Sequence, residues 1–266
     1  MQASFQVVGL SELLTASSMI VLSLGLSVLA RLGLARRIVV AALRTVLQLF
    51  AVGYVLTWVF AQNRAWSVVL ALTVMTLVAG WAALGRVERR IPHAYVLSLG
   101  AIALAAFVAT AVVTQVALGI QPWYKPQYLI PLAGMVLGNS MNGISLTLDR
   151  LLAELSQRRD WIEERLCLGA SPWEASRPLV VTALRAGMMP ILNTMTVVGI
   201  VSLPGLMTGQ ILAGADPLQA VIYQIIMIFM LCAATAIGGM TLGLLVFRRL
   251  RGAPARLRFE LIGKAK

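Results

Sequence analysis

Charge is scarce in this chain, acidic charge above all. Ten Asp and Glu stand against 22 Lys and Arg in 266 residues, and charged residues make up only 12% of the sequence. A soluble domain carries about 25%. With 59% hydrophobic residues and a mean hydropathy of +0.87, that shortage excludes a water-soluble fold. Cysteine is limited to Cys167, in a charged loop, and Cys232, in an apolar run; this placement excludes a disulfide framework. His93 is the single histidine. The sequence holds no Gly-x-x-x-x-Gly-Lys-Ser/Thr phosphate loop, so ATP, if it is used, is bound by another chain. No nucleophile–base pair or metal triad stands out, and the chain is expected to be no catalyst and to hold no cofactor of its own. A basic segment ahead of the first apolar run is also missing, the first charge being Glu12. That run is therefore expected to stay as a span rather than to be cleaved as a signal peptide.

What the chain does have is long apolar runs. A membrane span needs about 20 apolar residues, and seven runs qualify: 9–30, 38–60, 65–85, 94–119, 128–148, 179–203 and 217–247. The segments between them alternate in charge. Arg31, Arg36 and Arg37 follow the first run, and Arg86, Arg89 and Arg90 the third. Arg150, Arg158, Arg159, Arg165 and Arg177 follow the fifth. Arg248, Arg249, Arg251, Arg256, Arg258, Lys264 and Lys266 follow the seventh. The opposite loops hold Arg64 and Lys125. The positive-inside rule then predicts an all-α, multi-pass membrane protein, N-terminus outside and C-terminus in the cytoplasm. The net charge of +12 is spent on orientation in the lipid bilayer, so no nucleic-acid partner is expected. Trp123, Tyr124 and Tyr128 form an interfacial aromatic belt on the outer side. The run Leu206–Ala215 is too short to cross and reads as re-entrant.

The 149–178 segment is more than a connection. Leu148, Leu151, Leu152, Leu155, Ile162 and Leu166 recur at helical spacing with charges between them, which predicts that the fifth span runs on as an amphipathic helix. Gly169 is placed to end it in a left-handed cap. Ser171, Pro172 and Glu174 then supply a capping serine, a proline at the first helical position and a glutamate three residues past the cap. Pro178 and Pro190 are expected to bend the span that follows.

Glu163 and Gly169 resemble the EAA loop of ABC-transporter permeases in spacing, with Glu164 and Arg165 where that loop has two alanines and Ala170-Ser171-Pro172 as a common continuation. The resemblance implies a coupling helix that fits a groove on a cytoplasmic ATPase subunit. It assigns ATPase coupling to Glu163, Glu164, Gly169, Ala170, Ser171 and Pro172. One ATPase pair serves two permease halves, so a second permease subunit is expected as well, in a homodimer first and a heterodimer as the alternative. The stretches 130–141, 198–209 and 213–224, with Arg44-x-x-x-Gln48 and Val52-Gly53-Tyr54-Val55-Leu56, are similar to the FetB-type permeases, a family that includes the plant aluminium-tolerance permeases. The similarity runs from about residue 40 to 247. It implies a permease without its own ATPase, iron export in bacteria, and a proposed sugar-nucleotide cargo for the plant relatives.

Several intramembrane residues carry expectations of their own. Gly134 and Gly138, four apart, suit close helix packing. Met135, Asn139 and Asn142 share one face of the fifth span. Together with Ser202, Met207 and Gln210 they are candidates for the translocation path, with interhelical hydrogen bonding as the alternative for the fifth-span face. Arg44, Gln48 and Arg185 read either as a cytoplasmic entrance or brace or as side chains snorkelling to the interface. The Ser202–Pro217 segment, with its prolines and glycines, is expected to form a gate or plug of a shape no helix holds. Ferrous iron favours imidazole, carboxylate or thiolate, and the spans offer mainly methionines: Met135, Met141, Met188, Met189, Met195, Met207, Met227 and Met230. No metal ligands are assigned. The reading is an ABC permease domain covering 1–266, with a coupling element at 149–178 and a basic tail at 248–266, that exports iron or a related metal species. The competing readings are an ABC permease for a sugar nucleotide or organic solute, a secondary transporter or channel, and a membrane anchor that uses the 149–178 corner to recruit a partner.

Overall fold

The computed structural model describes residues 9–89, 91–252 and 257–263. Arg90, Arg256, Lys264 and Lys266, counted above among the basic residues, lie outside the described residues. The fold is a polytopic helical bundle. Its elements are α1 (Leu10–Leu29), α2 (Ala35–Gln62), α3 (Ala65–Leu84), α4 (Ala94–Ala111, continued by a π-helical turn Val112–Ala117), α5 (Pro126–Gln157), α6 (Arg159–Cys167), α7 (Pro172–Val197), α8 (Gly205–Leu212) and α9 (Pro217–Leu250). Among the described residues, α2, α3, α4, α5, α7 and α9 are long and apolar enough to cross a membrane. They match six of the seven expected spans. The helix α1, Leu10–Leu29, occupies the place of the first.

Start and stop signals explain most boundaries. Pro126, Pro172 and Pro217 each open a helix at its first turn, where the missing N–H is no loss. Three boundaries differ from expectation. First, α7 begins at Pro172 and ends at Val197, six residues before the expected limit of 203. The chain leaves the helix in a tight turn closed by Val201 N–H to Val197 O (3.0 Å) and Gly199 N–H to Ser202 O (2.9 Å). Second, the fifth span does not run unbroken to Gly169. At 32 residues α5 is about 48 Å long, well beyond the ~30 Å hydrocarbon core; it breaks at Arg158, and α6 starts afresh. Beyond the break Ile162 is fully buried in the core. Third, the Ser202–Pro217 segment does hold a helix, α8. Pro204 stands just before it, Gly205 at its first position and Gly214 just after it, so among the expected breakers only Gly209 is in its interior.

At the centre is α5, packed against α3, α4, α7 and α9. Val136, Ile144, Leu148, Leu151 and Leu152 of α5 meet Ala101 and Ile102 of α4, Ala183 of α7, and Met227, Leu242 and Val246 of α9. Close backbone approach occurs on α5, but not at the expected pair. A Cβ on Gly138 would meet nothing within 4 Å, and one on Gly134 would meet only Met75 Cε at 3.1 Å. The contact is one turn further along. A Cβ on Gly187 would lie 1.9 Å from Thr147 Oγ1 and 2.6 Å from Gly143 O, and one on Gly143 would lie 2.4 Å from Thr235 Cγ2. So α5 and α7 pack backbone to backbone at Gly143 and Gly187, with the Thr235 side chain of α9 against Gly143.

The helices α1 and α2 stand apart from this body. Over the most apolar eighteen residues of α2 none is buried. The helix touches the body only near the end that carries Trp58, Trp66 and Trp123, through a small cluster of Val59, Val68, Leu129 and Ile130. That end is called the aromatic end below. The opposite end carries Arg86, Arg150, Arg158 and Arg248 and is called the basic end. There the tail folds back: Arg258 N–H donates to Leu250 O (2.8 Å), and Leu257 is buried against the core.

Candidate functional site

The site is the corner at the basic end, α6 to the start of α7. Nine residues are too few for a helix to be stable alone, so neighbours hold α6. Ile162 is sunk in the core and Trp161 and Leu166 pack beside it. Arg159 bonds Glu163 Oε1 (2.7 Å) and lies over the Phe259 ring of the returning tail (5.4 Å). The Glu163 carboxylate beside it pushes the Arg159 guanidinium further up from its ordinary value. Arg165 lies over the Trp161 ring at 4.5 Å.

The turn is built from backbone hydrogen bonds. Gly169 has φ +90, a region closed to most residues because Cβ crowds a carbonyl oxygen. This conformation lets Ala170 N–H reach Arg165 O (3.0 Å) and Gly169 N–H reach Leu166 O (3.1 Å), the paired bonds of a Schellman ending. Ser171 then caps α7. Its Oγ accepts from Glu174 N–H (3.3 Å), and its N–H donates to Glu174 Oε2 (2.8 Å). Pro172 takes the first helical position, as expected. Trp173 stacks edge-on against Phe247 of α9 (5.0 Å, 69°). Glu154, buried at the end of α5, is clamped by Arg150 (2.7 Å) and Arg158 (2.9 Å). The corner is thus tied to α5 and α9 as well as to α7.

Its outward face is open. Leu168 is 82% exposed, and Glu164, Arg165 and Arg177 are exposed around it. Beside Leu168 lies a groove of about 490 Å³ lined by Arg165, Ala170, Glu174, Arg177 and Pro178. An apolar knob rimmed by charges of both signs suits a protein surface more than a small molecule. Glu163 is half-buried and committed to Arg159, leaving Glu164 as the outward carboxylate.

The expected path residues fall into two groups that the fold does not bring together. Met135, Asn139 and Asn142 lie along α5. Asn139 Nδ2 donates to Met135 O on its own helix (2.9 Å), while Asn142 Oδ1 accepts from Arg86 Nη1 at the basic end. Ser202 is exposed in the turn after α7, and Met207 and Gln210 are half-buried on α8, which packs on α9. Arg44 and Gln48 are exposed on α2, and Arg185 is exposed on α7. Met227 and Met230 are buried in the core, and Met135, Met141, Met188 and Met195 pack against it; the exposed Met189 and half-buried Met207 complete the set. Among the described residues no three His, Cys, Asp or Glu side chains come together as a metal cluster. His93 receives Arg249 Nη2 at 3.0 Å from its Nδ1.

Three features escaped the sequence reading. Glu154 sits four residues from an arginine on either side, a pattern visible in the sequence. A second corner repeats the first: Gly214 (φ +90) ends α8 with Ala215 N–H to Gln210 O (3.0 Å), and Asp216 Oδ2 caps α9 by accepting from Gln219 N–H (3.0 Å). The shared Gly-Ala-x-Pro at 169–172 and 214–217 was the signal. A cleft of about 780 Å³ between α3, α4 and α5 was not legible. Leu72, Leu99, Phe107 and Leu137 line it beside Thr73, Thr76, Thr110 and Thr114.

The chain compares with known proteins over most of its length. It is 42% identical over 211 residues to a UPF0014 membrane protein of Synechocystis, covering 77% of this chain and 80% of the relative. It is 33% identical to the Arabidopsis thaliana protein ALUMINUM SENSITIVE 3, over 88% of this chain and 84% of the relative. It is likewise 33% identical to the Escherichia coli probable iron export permease protein FetB, over 90% of each. No solved structure matches. The profile of an uncharacterised protein family, UPF0014, matches residues 10–250; with that coverage, these relatives and a bundle of apolar helices, the chain belongs to the UPF0014 family of multi-pass membrane proteins.

Proposed function

We propose that this chain is the membrane-spanning half of an ABC-type exporter, moving iron or a related metal species with ATP hydrolysed on a separate ATPase subunit. The observation that carries the reading is the corner, a short helix locked at both ends whose outward face stays open while its inner face is built into α5, α7 and α9. A load applied at Leu168 and Glu164 passes through Ile162 into the core and through the Trp173–Phe247 stack into α9. A floppy loop would absorb it. The relative named a probable iron export permease supports the cargo and the transport role. In this reading 1–266 is a single permease domain, the basic end faces the cytoplasm, and the N-terminus lies outside the bacterial inner membrane. Two copies face one ATPase pair.

A second reading, an organic cargo in place of a metal, draws on the cleft between α3, α4 and α5. Its apolar wall with a row of hydroxyls suits a compound with an apolar face, and its volume falls in the range of ligand sites. Reconstitution of the chain with its ATPase in vesicles tests both readings. Iron(II) is expected to stimulate ATP hydrolysis and to cross the membrane. Stimulation by an organic solute and not by metals would shift the assignment to the second reading. Full-rate solute movement with no ATPase bound would refute both.

A further inference from the structure

We propose that α2 is the seam between two copies of this chain, joined along the stripe that carries Arg44 and Gln48. The proposal rests on the two-copy arrangement above and gives it a surface.

Antiparallel helices linked by a short connection ordinarily pack along their length. Here α2 and α3 are linked through Asn63 and Arg64 alone, yet α2 buries only Val59, at the aromatic end. Its half-buried residues elsewhere include Ala35, Ile38 and Ala42, near α1, and Leu56 and Phe60, near the body. At 3.6 residues per turn these five fall within a sector of about 60°. Arg44 and Gln48 lie about 200° and 240° round the helix from Ala42. Arg37, Ala41, Ala51 and Val55 share that far side, and all six are exposed. The stripe therefore faces away from everything this copy offers.

Lipid does not satisfy it. Counting from Ala35, Arg44 is about 14 Å and Gln48 about 20 Å along the helix, so Gln48 sits deep in a hydrocarbon core of ~30 Å. An arginine stem can snorkel to the interface; a glutamine is too short. Its amide needs a partner at its own depth. Among the described residues neither Arg44 nor Gln48 has a side-chain hydrogen bond or ion pair. A second copy related by a two-fold axis along the membrane normal brings residues of equal depth together. Gln48 then meets its symmetry mate, each amide both donating and accepting, with small Ala41 and Ala51 allowing close approach, while Arg44, which its own mate would repel at equal depth, snorkels toward the interface at the basic end.

The test uses the full chain in lipid vesicles, without ATPase or cargo. In a background of Cys167→Ser and Cys232→Ala, single substitutions Ala51→Cys and Val55→Cys are oxidised and run on a denaturing gel. Disulfide-linked dimers are expected at both, and not for the equally lipid-exposed controls Phe107→Cys on α4 and Phe229→Cys on α9. Energy transfer on dilution into lipid is expected to show self-association weakened roughly tenfold by Gln48→Leu and changed less than about twofold by Gln48→Asn. Monomers at every dilution, which would mean that lipid alone covers the stripe, would overturn the proposal. So would cross-linking that favours the controls. Because no ATPase is present, either result leaves the coupling role of the corner to be judged separately.

Discussion

Replacement of Gly169 gives the sharpest test of the corner. Its φ of +90 admits few residues, yet a Cβ built there meets nothing within 4 Å. The whole penalty of a side chain is thus backbone strain, free of any clash. For alanine that strain is about 1–2 kcal/mol; asparagine tolerates the left-handed region better, and a β-branched residue tolerates it worst. At 1.4 kcal/mol per factor of ten, Gly169→Ala is expected to raise local opening of the turn about 5- to 30-fold. Gly169→Asn should raise it less and Gly169→Val more. Two amides report the opening directly, Gly169 N–H on Leu166 O and Ala170 N–H on Arg165 O, and hydrogen exchange reads them. ATPase-driven transport in vesicles should fall in the same order, Asn, Ala, Val, while ATPase subunits still bind. If Gly169→Val loses amide protection and keeps full coupled transport, a rigid corner is not what carries the force, and the functional reading fails with it.

Two further expectations come from packing and exposure. Gly187→Ala should be strongly destabilising, since its Cβ would meet a backbone oxygen, Gly143 O, at 2.6 Å and overpacking of that kind costs about 1–3 kcal/mol or more; Gly138→Ala, with open space, should be neutral or gain up to about 1 kcal/mol of helix propensity. Thermal unfolding in detergent ranks the two, and an equal loss would show that the backbone contact is wrongly placed. Leu168→Ala, at a side chain 82% exposed, should change folding stability by less than about 0.5 kcal/mol yet weaken ATPase binding about tenfold or more, as a central apolar anchor does. Titration of labelled ATPase against the variant checks it, and unchanged affinity would remove the knob from the docking surface.

Local chemistry was legible and long-range placement was not. Ser171, Pro172 and Glu174 were read correctly because a capping box closes within four residues and needs no knowledge of the fold. Gly169 was read for the same reason. The two departures have separate causes. The break at Arg158 precedes Ile162, whose burial depends on a core that exists only once α5, α7 and α9 are assembled. The helix in the Ser202–Pro217 segment was missed because glycine and proline were counted without regard to position: standing at the ends they delimit a helix, and only inside do they weaken one. Gly134 and Gly138 spell a packing motif, but the close contact formed at Gly143 and Gly187, where another backbone happened to arrive.

By itself the sequence determined that this is a multi-pass helical membrane protein, where six of its spans run, and that a capped corner stands between the fifth and sixth. Hydropathy, charge placement and caps act over a few residues or against the bilayer, so they can be read along a line. Only the tertiary structure decided which glycines touch, that Glu163 is spent on Arg159 while Glu164 and Leu168 face outward, and that α2 leaves a polar stripe uncovered. Those outcomes depend on which helix comes to lie beside which, and a helix presents all its faces alike until a neighbour covers one of them.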